Sequence, residues 1–168
     1  QNTHFLFTET AIAARDNWNP VDNFAERCEP EGMPRIMRNP HAFEFADNGD
    51  EISLVSELYD LVRTIHINDN APPLGMSASP LGYSTGFWDE STLTVTTSNI
   101  NWPYFDNIGT PQSESVTMLE TFTVSNDQTR LNYQLTVTDP TTFSEPAVYE
   151  RYWLALGEQI EVYDCQVY

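Results

Sequence analysis

Lysine is absent from this sequence: its seven basic residues are all arginine, set against 25 aspartate and glutamate residues. The absence of lysine excludes lysine Schiff-base chemistry and a phosphate-binding loop of the Walker type. The formal net charge of −18 leaves no basic stripe that would neutralise phosphates, which argues against a nucleic-acid partner. Such a charge is typical of a solvated, self-repelling surface suited to a salty exterior.

Long apolar runs and metal-binding or catalytic motifs are missing as well. No stretch approaches the roughly 20 consecutive apolar residues of a membrane span. The three histidines, His4, His41 and His66, show no metal-ligand spacing, and no Gly-x-Ser-x-Gly elbow is present. We therefore predict neither a cofactor nor a transition-metal site.

Cysteine occurs only twice, as Cys28 and Cys165, near opposite ends of the chain. We predict that the two form a disulfide that ties the N-terminal segment to the end of the chain; two buried free thiols are the alternative. A disulfide indicates an extracytoplasmic location, periplasmic or secreted.

Alternation of apolar and polar residues is the strongest structural signal in the chain. It runs through 82–97 on both sides of a polar break at Asp89-Glu90-Ser91, which predicts an antiparallel hairpin. Two more hairpins are predicted, from 116–124 with 131–137 and from 148–156 with 160–163. The pattern predicts an all-β, antiparallel meander of roughly 8–10 strands closed as a barrel, with a β-sandwich as the alternative.

The whole chain, 1–168, is predicted to form a single β-domain, with residues 1–40 as an arm packed on the barrel. Within the arm we expect a short helix from Glu9 to Asp16, capped by Thr8. The segment 17–40 is rich in Pro, Asn and Asp, so we expect it to be irregular.

Several stretches of the chain are similar to those of a family of secreted bacterial proteins found in soil and marine bacteria. They are Cys28-Glu-Pro-Glu-Gly-Met-Pro-Arg35, Arg63-Thr-Ile-His-Ile67, Ser84-Thr-Gly-Phe-Trp-Asp-Glu-Ser-Thr-Leu-Thr-Val95, Thr138-Asp-Pro-Thr-Thr-Phe143 and Tyr163-Asp-Cys165. The resemblance implies export and a single β-domain. It brings no catalytic residues to this chain.

Two charged residues fall on faces that are otherwise apolar. Glu120 shares its strand face with Met118 and Phe122, and Arg63 shares its face with Ile65. A charge in such a place must be paired or must face a cavity, because unpaired desolvation is costly. The two could form a structural ion pair, anchor a ligand together with Tyr133, or place Glu120 as a general acid or base.

The loop 98–115 is long for a compact domain and carries Trp102, Tyr104 and Phe105. These rings are candidates for a lid over a barrel mouth or for a platform that stacks sugars. The alternative is that they fold back to cover an apolar edge of the sheet.

The segment 67–73, Ile-Asn-Asp-Asn-Ala-Pro-Pro, resembles the calcium linker of cadherins, whose other calcium motifs are absent here. Asp69 and Asn70 carry the oxygen atoms that calcium prefers, and an ordinary loop is the alternative. Our prediction is that the chain holds no metal.

The strand predicted at 148–156 is apolar on both faces. We therefore expect Tyr149 and Trp153 to be covered, either by the arm or by another copy in a homo-oligomer.

These patterns favour a secreted β-barrel that binds a small, mainly apolar ligand oriented by Arg63 and Glu120. Two alternatives remain. One is a cofactor-free hydrolase, isomerase or cyclase that uses Glu120. The other is a self-assembling extracellular protein or a glycan-binding module.

Overall fold

The computed structural model describes residues 5–69, 71–161, 163, 165 and 166. In this part of the chain an α-helix and three short 3-10 turns precede eight strands. The helix is α1 (Glu9–Asp16), the 3-10 turns are Pro20–Asp22, Phe24–Arg27 and Arg35–Met37, and the strands are β1 (Phe43–Asp47), β2 (Glu51–Ser56), β3 (Val62–Ile67), β4 (Tyr83–Asp89), β5 (Thr92–Ser98), β6 (Thr117–Val124), β7 (Arg130–Thr138) and β8 (Ala147–Leu154).

Helix α1 begins and ends where the sequence predicts. The hydroxyl of Thr8 accepts a hydrogen bond from the backbone N–H of Ala11 at 3.2 Å, which caps the first turn. At the other end the N–H of Asn17 donates to the carbonyl of Ala13. The N–H of Thr8 also donates to the carbonyl of Thr142, so the helix is attached to the segment that joins β7 to β8.

The strands form one 8-stranded sheet in chain order, from β1 to β8. Each neighbouring pair is antiparallel except β3 and β4, which run parallel, with Ile65 opposite Ser84 and Ile67 opposite Gly86. The predicted all-antiparallel meander is therefore wrong at this pair. The segment 68–82 is long enough to return the chain to the starting end of the sheet before β4 begins, as a parallel connection requires.

The sheet curls into a half-barrel and does not close into the predicted barrel. Its edge strands β1 and β8 approach through side chains, since the rings of Phe43 and Trp153 lie 5.7 Å apart. Farther along β8 the guanidinium of Arg151 donates to the backbone carbonyls of Met37 and Asn39, at 3.3 and 2.6 Å. The arm thus contacts β8 from the inner side of the half-barrel.

The predicted hairpins at 82–97 and at 116–137 are present, as β4 with β5 and as β6 with β7. The third predicted hairpin is wrong in its second strand, 160–163, as far as that segment is described. Ile160 and Glu161 are irregular, and Tyr163 makes a single parallel bridge with Leu58. Val162 lies outside the described residues.

The disulfide between Cys28 and Cys165 is confirmed, with the two Cα atoms 5.7 Å apart. It joins the arm to the chain that follows β8. The arm also enters the core: Met33, Ile36 and Met37 are fully buried in the same apolar cluster as the inward-facing strand residues.

The two rings of β8 singled out from the sequence are both partly covered. Tyr149 lies against the guanidinium of Arg38 in the arm, at 5.2 Å from the ring centroid. Trp153 packs against Phe43 of β1 and against Tyr133, whose ring lies at 5.1 Å. The opposite face of β8, with Tyr152 and Leu154, is exposed.

Candidate functional site

One end of the half-barrel is open, and we call it the mouth. The β1–β2, β4–β5 and β6–β7 turns lie there together with the last residues of β8, as the strand register requires. The inward-facing side chains at these strand ends leave a cavity of about 460 Å³. This mouth cleft is lined by Ala42, Phe43, Phe45, Asp47, Ile52, Trp88, Leu93, Phe122, Val124, Gln128, Arg130, Leu131, Trp153, Leu154, Ala155 and Leu156.

The mouth cleft is apolar because it continues the core. Leu93 and Phe122 form its inner wall and are almost fully buried, whereas Trp88 and Leu156 are 54% and 57% exposed. Large apolar side chains that stay half in water around a concave site are a sign of binding rather than of packing. The opposite end of the half-barrel shows the contrast, because the arm residues and Phe143 fill it.

Arg63 and Glu120 contact each other in the packed interior. Nη1 of Arg63 donates to Oε1 of Glu120 at 2.9 Å, and Nη2 donates to Oε2. Nη2 also donates to the hydroxyl of Thr97 at 2.7 Å, and Nε donates to the hydroxyl of Ser84 at 3.1 Å. The two charged residues are 1% and 0% exposed. This paired and hydrogen-bonded arrangement favours the structural interpretation of both residues.

Tyr133 completes this interior group, since its hydroxyl donates to Oε1 of Glu120 at 2.7 Å. Burial and the negative charge of Glu120 raise the pKa of Tyr133 well above its usual value, so the hydroxyl stays protonated as a donor. For Arg63, burial works to lower the pKa, but attraction to Glu120 outweighs it and the pKa is raised. Arg63 is therefore charged, and Tyr133 is neutral.

The interior group meets the mouth cleft through aromatic rings. The ring of Tyr133 lies 4.9 Å from that of Phe122 and 5.1 Å from that of Trp153, and both partners line the cleft. Arg63, Glu120 and Tyr133 themselves do not line it. Glu120, the candidate general acid or base, is enclosed, with both carboxylate oxygens engaged by Arg63, Tyr133 and Thr97.

The aromatic loop lies on the arm. Trp102 and Tyr104 pack edge-on against Phe24 and Trp18, with ring centroids 5.0 and 4.9 Å apart, and Phe105 is 1% exposed. None of the three predicted ligand contacts lines the mouth cleft. The arrangement matches the alternative in which the rings cover an apolar surface.

The calcium candidates are only partly described, because Asn70 lies outside the described residues, as does His4. Asp69 accepts a hydrogen bond from the hydroxyl of Tyr83 at 2.5 Å, and this bond raises the pKa of Tyr83 to about 12. In the described ranges no three side chains of His, Cys, Asp or Glu are grouped to hold a metal ion.

Sequence analysis did not identify the residues of the mouth cleft. Their position in the strands is the signal that could have indicated them: Phe45, Trp88 and Val124 are inward-facing apolar residues within three residues of a turn. Close to the end of a strand, the neighbouring strands end as well and leave an inward-facing side chain uncovered.

Known proteins offer no template for the mouth cleft. No protein-family model, curated protein or solved structure matches the chain. The resemblance to secreted bacterial proteins therefore stays a prediction. Among the described residues, no helix has both the length and the apolar character needed to cross a membrane.

Proposed function

We propose that this protein binds a small, mainly apolar ligand in the mouth cleft. The observation that carries the proposal is a cavity of about 460 Å³, walled by core residues and open at one end of an otherwise filled half-barrel. Its volume falls within the range of about 300–1,000 Å³ that is typical of small-molecule sites.

The energetics of the cleft favour an apolar occupant. Trp88 and Leu156 are both more than half exposed, so a ligand would remove both its own apolar surface and theirs from water. Each square ångström of apolar surface so buried contributes roughly 25 cal/mol. The disulfide and the acidic surface support an extracytoplasmic location for this binding.

The proposal is tested with the neutral probe N-phenyl-1-naphthylamine, whose fluorescence rises on transfer from water to an apolar site. Ala155→Trp places a large ring at an exposed lining position outside the strands, where it should narrow the cleft without disturbing the core. Ala78→Trp adds the same ring at an exposed loop position away from the cleft and serves as the control.

We expect saturable binding of the probe by the wild type and by Ala78→Trp, and binding at least about fivefold weaker by Ala155→Trp. Equal binding by all three proteins, or no saturable binding by the wild type, would contradict the proposal. Thermal unfolding of each variant checks that the fold is retained.

A second candidate, self-association, rests on the outer face of β8. Val148, Tyr152 and Leu154 are 43%, 54% and 68% exposed on this edge strand. An exposed apolar patch on a sheet face is a place where a second copy packs. Sedimentation at increasing concentration should then show a dimer that Val148→Lys weakens; a monomer throughout would exclude this candidate.

A further inference from the structure

A polar groove adjoins the mouth cleft. It has a volume of about 520 Å³ and is lined by residues of the β6–β7 turn, Ser125, Asn126, Asp127 and Thr129, and by Arg130, Tyr152 and Leu154. Arg130 and Leu154 line the cleft and the groove alike. The apolar cleft and the polar groove thus meet at Arg130, whose guanidinium lies on the groove side, over the ring of Tyr152.

Among the described residues, the guanidinium of Arg130 makes no hydrogen bond and no ion pair. It lies over the ring of Tyr152, 5.2 Å from the ring centre. Arg27, Arg35 and Arg63 pair with carboxylates, Arg38 and Arg151 donate to backbone carbonyls, and Arg15 lies over the ring of Phe7 away from the cleft. The cation at the junction is therefore available to a ligand.

The carboxylates nearby are engaged elsewhere. Asp127, in the groove, accepts hydrogen bonds from the hydroxyl of Ser125 at 2.6 Å and from the N–H of Thr129 at 3.2 Å, and these bonds lower its pKa. Asp47, in the cleft, accepts from the N–H of Gly49 at 2.9 Å. Both hold the turns in which they lie, and neither is ion-paired with Arg130.

We propose that the ligand is a single-chain amphiphile with an anionic head group. This inference rests on the proposed function and deepens it: the apolar chain lies in the mouth cleft, and the carboxylate, sulfate or phosphate of the head binds Arg130. A guanidinium presents a planar fork of N–H donors that matches two oxygens of such a group. The hydroxyls of Ser125 and Thr129 and the amide of Asn126 line the groove and offer hydrogen bonds to the water around the head group.

The net charge of −18 opposes an anion at long range and would favour a cationic head. Screening limits that effect to about 8 Å at physiological ionic strength, whereas the contact with Arg130 acts at hydrogen-bond distance. A cationic head group is therefore the alternative that the experiment excludes.

The experiment measures the binding of dodecanoate, dodecanol and dodecyltrimethylammonium by calorimetry, below the concentrations at which each aggregates. These probes share one chain and differ in the charge of the head. Arg130→Gln removes the proposed contact. Arg27→Gln, at an exposed position in the arm that contacts Glu29, removes the same charge away from the cleft.

We expect the wild type and Arg27→Gln to bind dodecanoate more tightly than dodecanol and the cationic probe. Arg130→Gln should bind dodecanoate about five- to tenfold more weakly and dodecanol with unchanged affinity. Unchanged binding of dodecanoate by Arg130→Gln, or tighter binding of either other probe by the wild type, overturns the inference and leaves the apolar site standing. Failure of all three probes to bind overturns the proposed function together with it.

Discussion

The guanidinium of Arg63 and the carboxylate of Glu120 face each other inside the half-barrel, 57 positions apart in the chain, and join through two hydrogen bonds. They connect β3 to β6 across the interior, and Tyr133 brings in β7. A buried ion pair with every oxygen engaged is costly to break from one side, because the remaining charge stays buried without a partner.

Replacing Glu120 with Gln should therefore destabilise the protein. The loss in the free energy of unfolding is at most about 3–5 kcal/mol, since the amide keeps part of the hydrogen bonding to Arg63. Urea unfolding measures it, with Glu114→Gln at an exposed loop position as the control. The double change of Arg63→Met with Glu120→Leu should cost less than Glu120→Gln alone. A Glu120→Gln variant as stable as the wild type would show that the pair contributes nothing.

Tyr133 should make stability depend on alkaline pH. Its pKa is higher in the folded state than in the unfolded chain, where it is about 10. The resulting stabilisation is fully present below that unfolded value and is lost as the pH rises through the folded-state pKa. The free energy of unfolding should thus fall above about pH 10.

The variant Tyr133→Phe should be less stable near neutral pH, by about 1–3 kcal/mol, and should lose stability less steeply above pH 10. Tyr152→Phe, which removes an exposed hydroxyl, is the control and should follow the wild type. Urea unfolding at a series of pH values checks this. Parallel curves for wild type and Tyr133→Phe would contradict it.

Loss of the disulfide should loosen the attachment of both chain ends. The two cysteines are 137 positions apart, so the chain-entropy model gives a stabilisation of about 4–5 kcal/mol, and measured values are often lower. Unfolding of the wild type should therefore shift to lower urea on reduction. The Cys28→Ser, Cys165→Ser double variant should unfold at the same urea concentration as the reduced wild type, whether or not the buffer contains a reducing agent. Mass spectrometry of the unreduced protein should show two hydrogens fewer than the reduced form, and two alkylatable thiols in the native protein would refute the bond.

Arg151 should hold the arm against β8. Its guanidinium donates to the carbonyls of Met37 and Asn39 and lies 4.6 Å from the centre of the Trp153 ring. Arg151→Gln should cost about 1–2 kcal/mol and speed hydrogen exchange in 35–40, because the carbonyls lose a charged donor. Arg130→Gln, on the neighbouring strand, should leave exchange in that segment unchanged. Equal exchange in both variants would show that Arg151 does not hold the arm.

Local chemistry was sufficient to predict several of these features. Alternation along β4, β5, β6 and β7 predicted both hairpins, and Thr8 predicted the start of α1, because a pleat and a cap depend only on neighbours in the chain. The same alternation pointed Arg63 and Glu120 inward. Two isolated cysteines were enough to predict their bond.

Tertiary structure alone decided where the mouth cleft lies and how the arm meets the sheet. The cleft is assembled from the ends of strands as distant as β1 and β8, and the arm contacts β8 through Arg151. Aromatic rings of the loop 98–115 pack against Phe24 and Trp18 of the arm. The surface that was predicted to contact a ligand is therefore a packing contact. Periodicity records which face of a strand is apolar. It carries no information about the curvature of the sheet or about which distant segment covers that face, and these depend on contacts between residues far apart in the chain.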